Sequence, residues 1–551
     1  MKTDQADRII AVVAIDEDRS TNGFASTYKL PFGGSTVLGH TLSRLRKVDG
    51  IEKIVLLYPD SQSPADWLGD DAAGVQMHPV SGDIFDSPHE ARISGRKWAP
   101  TAWRGGLGDM TCYDEVLCAN AMSQAVTKYN ATAALIVGGD WPLVDPLLCS
   151  QVVSQYKEFD VKLAFNQAPP GLSGIVIRGS VLADMAERRV PVGAGLGYNP
   201  RFPQGDPIAR DPCVQISAAI RGSMVRAVYD APRWRQLLDN YASSVNGSML
   251  DISAEEIAPK LHEIAMADRY AVPQQVSLEL TPQRSLDGPI VPQAHVDLDR
   301  EPITPELAKK IFEELGSHED VAVTLGGLGD ALLHPQWRQI VQAAKDAGVW
   351  GIHVETDLVT EDQDILAELL DSPVDVISFH MNADTGAKYQ EIMGKDYYKF
   401  VLSNLEFVVN RIHSEGYEVH PRWFVPRMVK CRDVIDEMES FFDKCMVFCG
   451  HAVIEPATTG CGLMPDHAPL SMAPPQRFPC RQLYRRLTIH SNGMVAQCDQ
   501  DWLSRGVSTD LNQSSVADAW EALDKLRRSH EAADYGTVSS LCGDCREWHR
   551  P

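Results

Sequence analysis

The chain has 551 residues, 44% hydrophobic and 23% charged, and this length and composition predict three or four folded domains. A net charge of −24 without a local basic patch argues against nucleic acid as a partner. There is no run of about 18 apolar residues that would span a membrane. The apolar stretch 9–15 is followed by acidic residues and not by a cleavage site, so we expect a cytoplasmic protein.

The first third of the chain alternates short apolar runs with a helical pattern. Strands are predicted at 9–15, 53–59, within 131–143 and from 224, with a helix at 38–48 and another opened by Pro232. This alternation predicts a parallel sheet covered on both faces. Ligands of such sheets bind beyond the carboxyl ends of the strands, where Asp140 and Asp230 fall. A capping role is the alternative for Asp140 taken alone.

A second alternating series begins at Val276, after a segment of mixed polarity that we interpret as a linker, 246–272. Strands are predicted near 276–280, 321–325, 350–355, 374–379, 418–424 and 446–454. The helix between the first two is well marked, with Thr304 as N-cap and Gly316 as its end. Six such strand and helix units predict a partial barrel of parallel strands.

The last 80 residues are predicted to form a separate small module. A proline-rich stretch at 465–479 should be extended, and Asn492-Gly493 supplies the turn of a hairpin within 486–498. Cys480, Cys498 and the pair Cys542 and Cys545 follow. Short spacing of cysteines in a cytosolic chain favours metal binding over disulfides. Cys445, Cys449 and Cys461 are interpreted as buried strand or helix cysteines.

Four segments of the N-terminal third resemble the cytidylyltransferases that activate acidic sugars, including those associated with spore-coat polysaccharide synthesis. The segments are YKLPFGGSTVLGHTLSRL (28–45), RGGLGDMTCYDEVLCANAMSQA (104–125), GGDWPLVDP (138–146) and RAVYDAPRWRQLL (226–238). The resemblance implies a GT-A, Rossmann-like nucleotidyltransferase domain. It places Lys29 at the nucleotide phosphates and assigns Mg²⁺ to Asp140 and Asp230. The loop before the lysine, 16–28, is longer and more acidic than is usual in the family.

The second half resembles the radical S-adenosylmethionine (radical SAM) enzymes. The similar segments are VSLELTPQRSLDGPIV (276–291), VTLGGLGDALLHP (323–335) and ISFHMNADTGAKYQEIMG (377–394). Arg284, Gly288 and Val291 stand where that family has the three cysteines of its CxxxCxxC motif. Because a [4Fe–4S] cluster needs thiolate ligands, the resemblance implies a barrel without radical chemistry.

Part of the cofactor loop is nevertheless kept. Gly326, Gly327 and Gly329 match the loop that approaches the cofactor's amino group in the family, and Asp330 replaces the usual glutamate. Residual binding of S-adenosylmethionine is left open. Arg284 is expected at the barrel mouth, facing an anionic ligand. His353 and His380 are interpreted as core histidines.

The tail resembles the SPASM module, or its shortened twitch form, which carries auxiliary iron–sulfur clusters. FPCRQLYRRLTIHSNGMVAQCDQD (478–501) and the helix 516–528 match its pattern. The resemblance assigns one [4Fe–4S] cluster to Cys480, Cys498, Cys542 and Cys545. Four cysteines also make a closed zinc site, so zinc is the alternative. We expect a structural role for the metal.

These observations predict an α/β protein of four segments: 1–245, nucleotidyltransferase-like; 246–272, linker; 273–470, radical-SAM-like barrel; and 471–551, iron–sulfur module. The predicted function is nucleotidyl transfer, with CTP as the expected nucleotide and a sugar or acidic sugar as acceptor. The alternatives are a scaffold without turnover in either half and a radical enzyme with a non-standard cluster site. Homo-oligomerisation is left open.

Overall fold

The structure, a computed structural model, describes residues 7–82, 89–198, 202–267, 270–414, 422–506, 509–543 and 545–550. It divides into two compact units, Met1–Arg269 and Tyr270–Pro551. Both units contain helices and sheets with parallel strands, which confirms the predicted mixed α/β class. Within the described ranges, no helix combines the length and the apolar character needed to cross a membrane.

A seven-stranded sheet forms the centre of the first unit, in the order β5-β4-β1-β6-β8-β7-β9. Its strands are β1 (Ile9–Ala14), β4 (Ile54–Pro59), β5 (Val75–Val80), β6 (Ala133–Gly138), β7 (Leu163–Asn166), β8 (Ile175–Arg178) and β9 (Cys213–Val214), with β2 (Pro31–Phe32) and β3 (Ser35–Thr36) in a separate hairpin. β1 runs parallel to both β4 and β6, whereas β8 is antiparallel to β6. The nearly continuous apolar sequences of β1, β4 and β6 follow from burial on both faces.

Helices of the first unit pack on this sheet. Their bounds are Val37–Leu45, Ala65–Leu68, His89–Arg96, Ala119–Lys128, Pro146–Phe159, Gly179–Arg188, Gly193–Leu196, Ala218–Arg221, Pro232–Ser244 and Ala254–Ala267. Pro232 opens its helix as predicted. Two expectations are wrong. Residues 224–229 are in no strand, and most of the predicted linker belongs to the helix Ala254–Ala267, whose Ile257 and Leu261 are buried.

The second unit is built on an eight-stranded sheet in the order β15-β14-β13-β12-β11-β10-β16-β17. The strands are β10 (Gln275–Glu279), β11 (Ala322–Gly326), β12 (Gly351–Thr356), β13 (Val376–His380), β14 (Trp423–Lys430), β15 (Val453–Pro456), β16 (Arg486–Ile489) and β17 (Val495–Ala496). β10 to β15 are parallel neighbours in chain order, the arrangement expected of a partial barrel. β14 begins later than predicted, and 415–421 lie outside the described residues.

The helices of this unit alternate with the strands and continue into the tail. Their bounds are Pro305–Gly316, Trp337–Asp346, Gln363–Asp371, Gly386–Met393, Tyr398–Ser414, Met438–Cys449, Val516–Ala522, Asp524–Glu531 and Ser540–Gly543. Thr304 is the N-cap of the first of them, accepting a hydrogen bond from the Leu307 amide at 3.2 Å. The single helix predicted at 516–528 is instead two helices, which meet at Leu523.

The tail hairpin is a continuation of the barrel sheet and not a separate module. β16 pairs in parallel with β10, and β17 returns antiparallel through the turn at Gly493, whose φ is +86°. Apolar residues of the hairpin belong to the core of the barrel. The hairpin therefore holds Cys498, which follows β17, at the edge of the barrel.

Candidate functional site

Asp140 lies beyond the carboxyl end of β6 and is completely buried. Its carboxylate accepts hydrogen bonds from the Thr21 amide at 3.0 Å and from the Thr21 hydroxyl at 2.7 Å. Burial, and next the nearby carboxylate of Asp230, raise the pKa of Asp140 to about 7. The predicted pair of acids is therefore close together, but Thr21 from the acidic loop caps one of them.

Asp230 already has a cation of its own. Arg226 donates to the Asp230 Oδ2 from Nη2 at 2.6 Å and from Nε at 3.1 Å. The same guanidinium pairs with Glu115 at 2.7 Å, and Glu115 pairs with Arg96 at 2.7 Å. All these side chains are fully buried. Sequence reasoning missed this network because its two halves, Arg96–Glu115 and Arg226–Asp230, are more than 100 residues apart in the chain.

Lys29 lies apart from the two aspartates. Its ammonium bonds to the Glu17 carboxylate at 2.5 Å and lies 5.1 Å from the ring centre of Trp67. Within the described part of the chain, no hydrogen bond or ion pair joins Lys29 to Asp140 or Asp230. The cavity beside Thr21 has a volume of only about 60 Å³. A nucleotide would therefore require displacement of the loop 16–28.

In the barrel, Arg284 pairs with a carboxylate of its own chain. Its Nε and Nη2 atoms donate to the two carboxylate oxygens of Asp357 at 2.7 and 2.5 Å. The Arg284 side chain is 11% exposed and that of Asp357 is 1% exposed. The anion that the sequence predicted for Arg284 is thus supplied by the strand end after β12.

The other two positions of the missing cysteine motif are filled by packing. A Cβ at Gly288 would lie 2.1 Å from the Ile392 carbonyl oxygen and 2.4 Å from the Met393 carbonyl carbon. The Gly288 amide donates to the Met393 carbonyl at 3.1 Å. Val291 is a buried member of the barrel core. Gly288 and Val291 are therefore closely packed at two of the positions where the resembled family has a thiolate.

The glycine loop is kept but is packed against the protein. Gly327 has a φ of +85°, which favours glycine, and a Cβ at Gly329 would lie 1.9 Å from the Thr281 carbonyl oxygen. Asp330 is buried and accepts hydrogen bonds from the Thr356 hydroxyl and the Asp357 amide, at 3.1 and 2.9 Å. The Asp330 carboxylate is therefore occupied by hydrogen bonds from within the protein. A role for the loop in binding a cofactor stays a prediction.

Charged side chains on β12, β14 and β15 neutralise one another. Arg427 bridges Glu355 and Glu455. Burial alone would raise the pKa of Glu355, but the Arg427 charge outweighs it and holds that pKa at about 2. His380 lies 3.5 Å from Glu455 and 3.8 Å from Asp357. Both ring nitrogens of His353 contact hydroxyl groups, as expected of a core histidine.

The four candidate metal ligands lie in the same region of the tail, near enough to influence one another electrostatically. Cys480 precedes β16, Cys498 follows β17, and Cys542 and Cys545 lie at the helix Ser540–Gly543. Cys480 and Cys542 share a small apolar cluster with Leu483. Burial, and next the proximity of Cys545 and Cys480, raise the pKa of Cys542 to about 12.

N–H groups point at two of these sulfurs. The Gln497 side-chain amide donates to the Cys542 Sγ at 2.9 Å, and the Glu547 backbone amide to the Cys545 Sγ at 3.3 Å. These donors and the thiols suit a bound cluster or zinc chemically. In the described residues, however, no three His, Cys, Asp or Glu side chains are arranged closely enough to hold a metal ion. Metal binding would thus require the four thiols to move closer to one another.

A fifth cysteine, Cys461, lies beside this group, and its exposure differs from the burial expected from the sequence. Cys445 and Cys449 are buried in the helix Met438–Cys449, as expected. Cys461 is instead partly exposed, in a turn beyond β15 with a φ of +53°. The Cys461 thiol donates to the Leu541 carbonyl oxygen at 3.7 Å. It also lies close to Cys545, and this proximity is the largest influence that lowers the pKa of the Cys545 thiol. Its distance along the chain hid this contact.

Comparison with known protein families matches the tail to an iron–sulfur domain. Residues 480–546 match the family model SPASM, described as an iron–sulfur cluster-binding domain, and this range contains all four candidate ligands. An uncharacterized protein of Treponema pallidum is 24% identical over 315 residues, 54% of this chain and 85% of that protein.

Two solved structures each resemble about half of the chain. BtrN in complex with AdoMet and 2-DOIA has 15% identity and a TM-score of 0.35, covering 49% of this chain and 92% of that one. A cytidylyltransferase from Leptospira borgpetersenii has 16% identity and a TM-score of 0.33, covering 47% of this chain and 97% of that one.

Asp330 should make the second unit less stable as the pH rises. Burial, and next Asp357, raise the pKa of Asp330 from 3.8 to about 6. Between these values the folded chain holds a proton that the unfolded chain has lost, so the stabilisation is complete below pH about 4 and is lost as the pH rises through about 6. Urea unfolding of the second unit at pH 4.5 and 7 should reveal this slope, and Asp330→Asn should flatten it. An unchanged slope in Asp330→Asn would refute the assignment.

Proposed function

We propose that the protein holds one [4Fe–4S] cluster through Cys480, Cys498, Cys542 and Cys545. The observation that carries the proposal is that these four thiols lie within the residues that match an iron–sulfur domain and near enough to influence one another electrostatically. Their N–H neighbours Gln497 and Glu547 support it, because hydrogen bonds to sulfur stabilise thiolate charge. Zinc remains the alternative occupant.

The proposed role of the cluster is structural. A cluster held there would link the hairpin β16–β17 to the C-terminal residues around the small apolar cluster that contains Cys480 and Cys542. Since metal binding and folding are coupled in such small modules, removing the metal should loosen the tail first.

The metal content of the purified chain tests this role. Protein prepared without oxygen should contain about four irons per chain and absorb in the visible range. Cys498→Ala should lose most of this iron and become sensitive to protease within the tail, because one ligand is missing. The matched control is Cys445→Ala, a buried helix cysteine outside the group, which should keep its iron. Stoichiometric zinc with no visible absorption would contradict the iron assignment.

We further propose that the barrel carries out no radical chemistry. Three features support this view: the Arg284–Asp357 pair, the packed Gly288 and the apolar environment of Val291. Each replaces a position where a thiolate would be required.

Restoring the cysteine motif should not restore a cluster in the barrel. The triple variant Arg284→Cys, Gly288→Cys and Val291→Cys is expected to bind no more iron than the parent, because a side chain at Gly288 collides with the backbone at 392–393. Its second unit should also unfold at lower urea, since Asp357 is left buried without its cation. The double variant Arg284→Cys and Val291→Cys, which retains Gly288, measures the destabilisation without the collision at Gly288. About four additional irons, with cleavage of S-adenosylmethionine, would refute the proposal.

Nucleotidyl transfer is the second candidate function and belongs to the first unit. The specific observation in its favour is the pair of buried acids, Asp140 and Asp230, beyond the sheet edge. Mg²⁺ bound there would polarise a nucleoside triphosphate for attack by a sugar oxygen. Because Arg226 already neutralises Asp230, Asp140 would be the main protein ligand, once Thr21 and the loop 16–28 have moved.

Pyrophosphate release tests this candidate. With Mg²⁺, the correct nucleoside triphosphate and an acidic sugar, the chain should release pyrophosphate, and we expect CTP to be the best donor. Asp140→Asn should slow release by roughly a hundredfold or more, because the metal loses its carboxylate. Asp251→Asn is the matched control, since the Asp251 side chain is 74% exposed and forms a surface ion pair with Lys47. If no combination releases pyrophosphate, the scaffold alternative replaces this proposal.

A further inference from the structure

A cavity of about 590 Å³ lies in the second unit where the strand end of β14, the loop after β15 and the tail meet. Cys461 and Cys545 both line it. Its volume is within the range of sites that bind small molecules, about 300 to 1,000 Å³. Neither the barrel lumen nor the nucleotidyltransferase-like site includes these residues.

Cations exceed carboxylates in the wall of this cavity. Among the residues that the structure describes, the lining contains Lys430, Arg505, Arg546 and Arg550 together with two acids, Asp466 and Glu547. Both acids already have partners: Asp466 lies 3.7 Å from Arg546, and Glu547 pairs with Arg550. Lys430 and Arg505 are thus the two cations without a carboxylate partner among the described lining residues.

The surroundings of these two cations differ. The Lys430 ammonium forms no hydrogen bond or ion pair with any residue that the structure describes. Arg505 has one carboxylate nearby, that of Asp501, at 4.0 Å. That carboxylate already accepts from the backbone amides of Arg505 at 2.8 Å and Gly506 at 2.9 Å. In a chain with a net charge of −24, such a basic cavity is a local exception.

Apolar side chains complete the wall. Met464, Leu470 and Met472 line the cavity, and Leu470 and Met472 are 70% and 64% exposed. Exposed side chains of this size lose water-contacting area when a ligand covers them. The cavity thus combines the Lys430 ammonium, the Arg505 guanidinium in a long ion pair with Asp501, an apolar wall and a thiol.

We propose that this cavity binds a small organic dianion with an apolar body, such as a dicarboxylate, next to the Cys461 thiol. Lys430 and Arg505 bind the two negative groups, and the methionines and Leu470 contact the carbon skeleton. Cys461 remains outside the four-cysteine metal site and faces the ligand. The proposal does not depend on whether iron or zinc occupies that site.

Paired alkylating reagents test the charge and the thiol together. Iodoacetate is an anion and iodoacetamide is its neutral counterpart; each alkylates a thiol with loss of iodide and a proton. Modification of Cys461 in the oxygen-free, metal-loaded protein is followed by peptide mass spectrometry. Iodoacetate should be favoured at Cys461, relative to partly exposed Cys118 in the first unit, by about tenfold or more, because a cationic cavity concentrates anions.

Substitutions and a competitor assign the effect to the cavity. Lys430→Met and Arg505→Met should each lower the iodoacetate preference, while Lys525→Met, the same charge change on an exposed residue outside the lining, should not. The iodoacetamide rate in each variant reports whether the cavity has kept its shape. Succinate should protect Cys461 from iodoacetamide, whereas neutral succinamide should not.

Three results would overturn the proposal. They are an iodoacetate preference at Cys461 no greater than at Cys118, a preference unchanged by Lys430→Met and Arg505→Met, and a Cys461 that neither reagent modifies in the metal-loaded protein. The last result would place Cys461 among the metal ligands or away from the cavity.

Discussion

Burying a charge requires a partner for it, and guanidinium groups meet this requirement at two important places in the structure. In the barrel, Arg284 binds both oxygens of Asp357 where the resembled enzymes would have the first cluster cysteine. In the first unit, Arg226 binds Asp230, a position that the resemblance assigns to Mg²⁺. Each arginine gives a nearby carboxylate a permanent counter-charge without a bound ion. Nearby residues also contact the protein itself at these places: Gly288 packs against 392–393, and Thr21 donates a hydrogen bond to Asp140.

The two ion pairs have different consequences. Positions 284, 288 and 291 of the barrel carry no thiol, so movement of one loop would bring no thiolate there. The first unit retains Asp140, whose cap is one threonine from a surface loop. The tail differs from both, because it keeps all four thiols and has the added Cys461 beside Cys545. Chemistry that depends on sulfur and on an open cavity is therefore concentrated where the hairpin of the barrel sheet meets the tail.

Much of the fold could be predicted from local patterns. β1, β4 and the helix Pro305–Gly316 follow from apolar runs, helical spacing and a threonine cap, all of which act within a few residues. The errors occur where distant packing outweighs local preference. The helix Ala254–Ala267 looked like a linker, yet burial of Ile257 and Leu261 stabilises it. The segment before Asp230 had a strand-like sequence but has no strand partner.

The candidate sites divide in the same way. The sequence by itself determined which chemical groups are available: four tail cysteines, two strand-end aspartates, and no thiol at 284, 288 or 291. Only the tertiary structure decided which groups meet. It paired Arg284 with Asp357, Arg226 with Asp230 and Cys461 with Cys545, and it left Lys430 and Arg505 facing an open cavity. The reason is physical: ligand type is a property of one residue, whereas charge neutralisation and burial depend on residues brought together from distant parts of the chain.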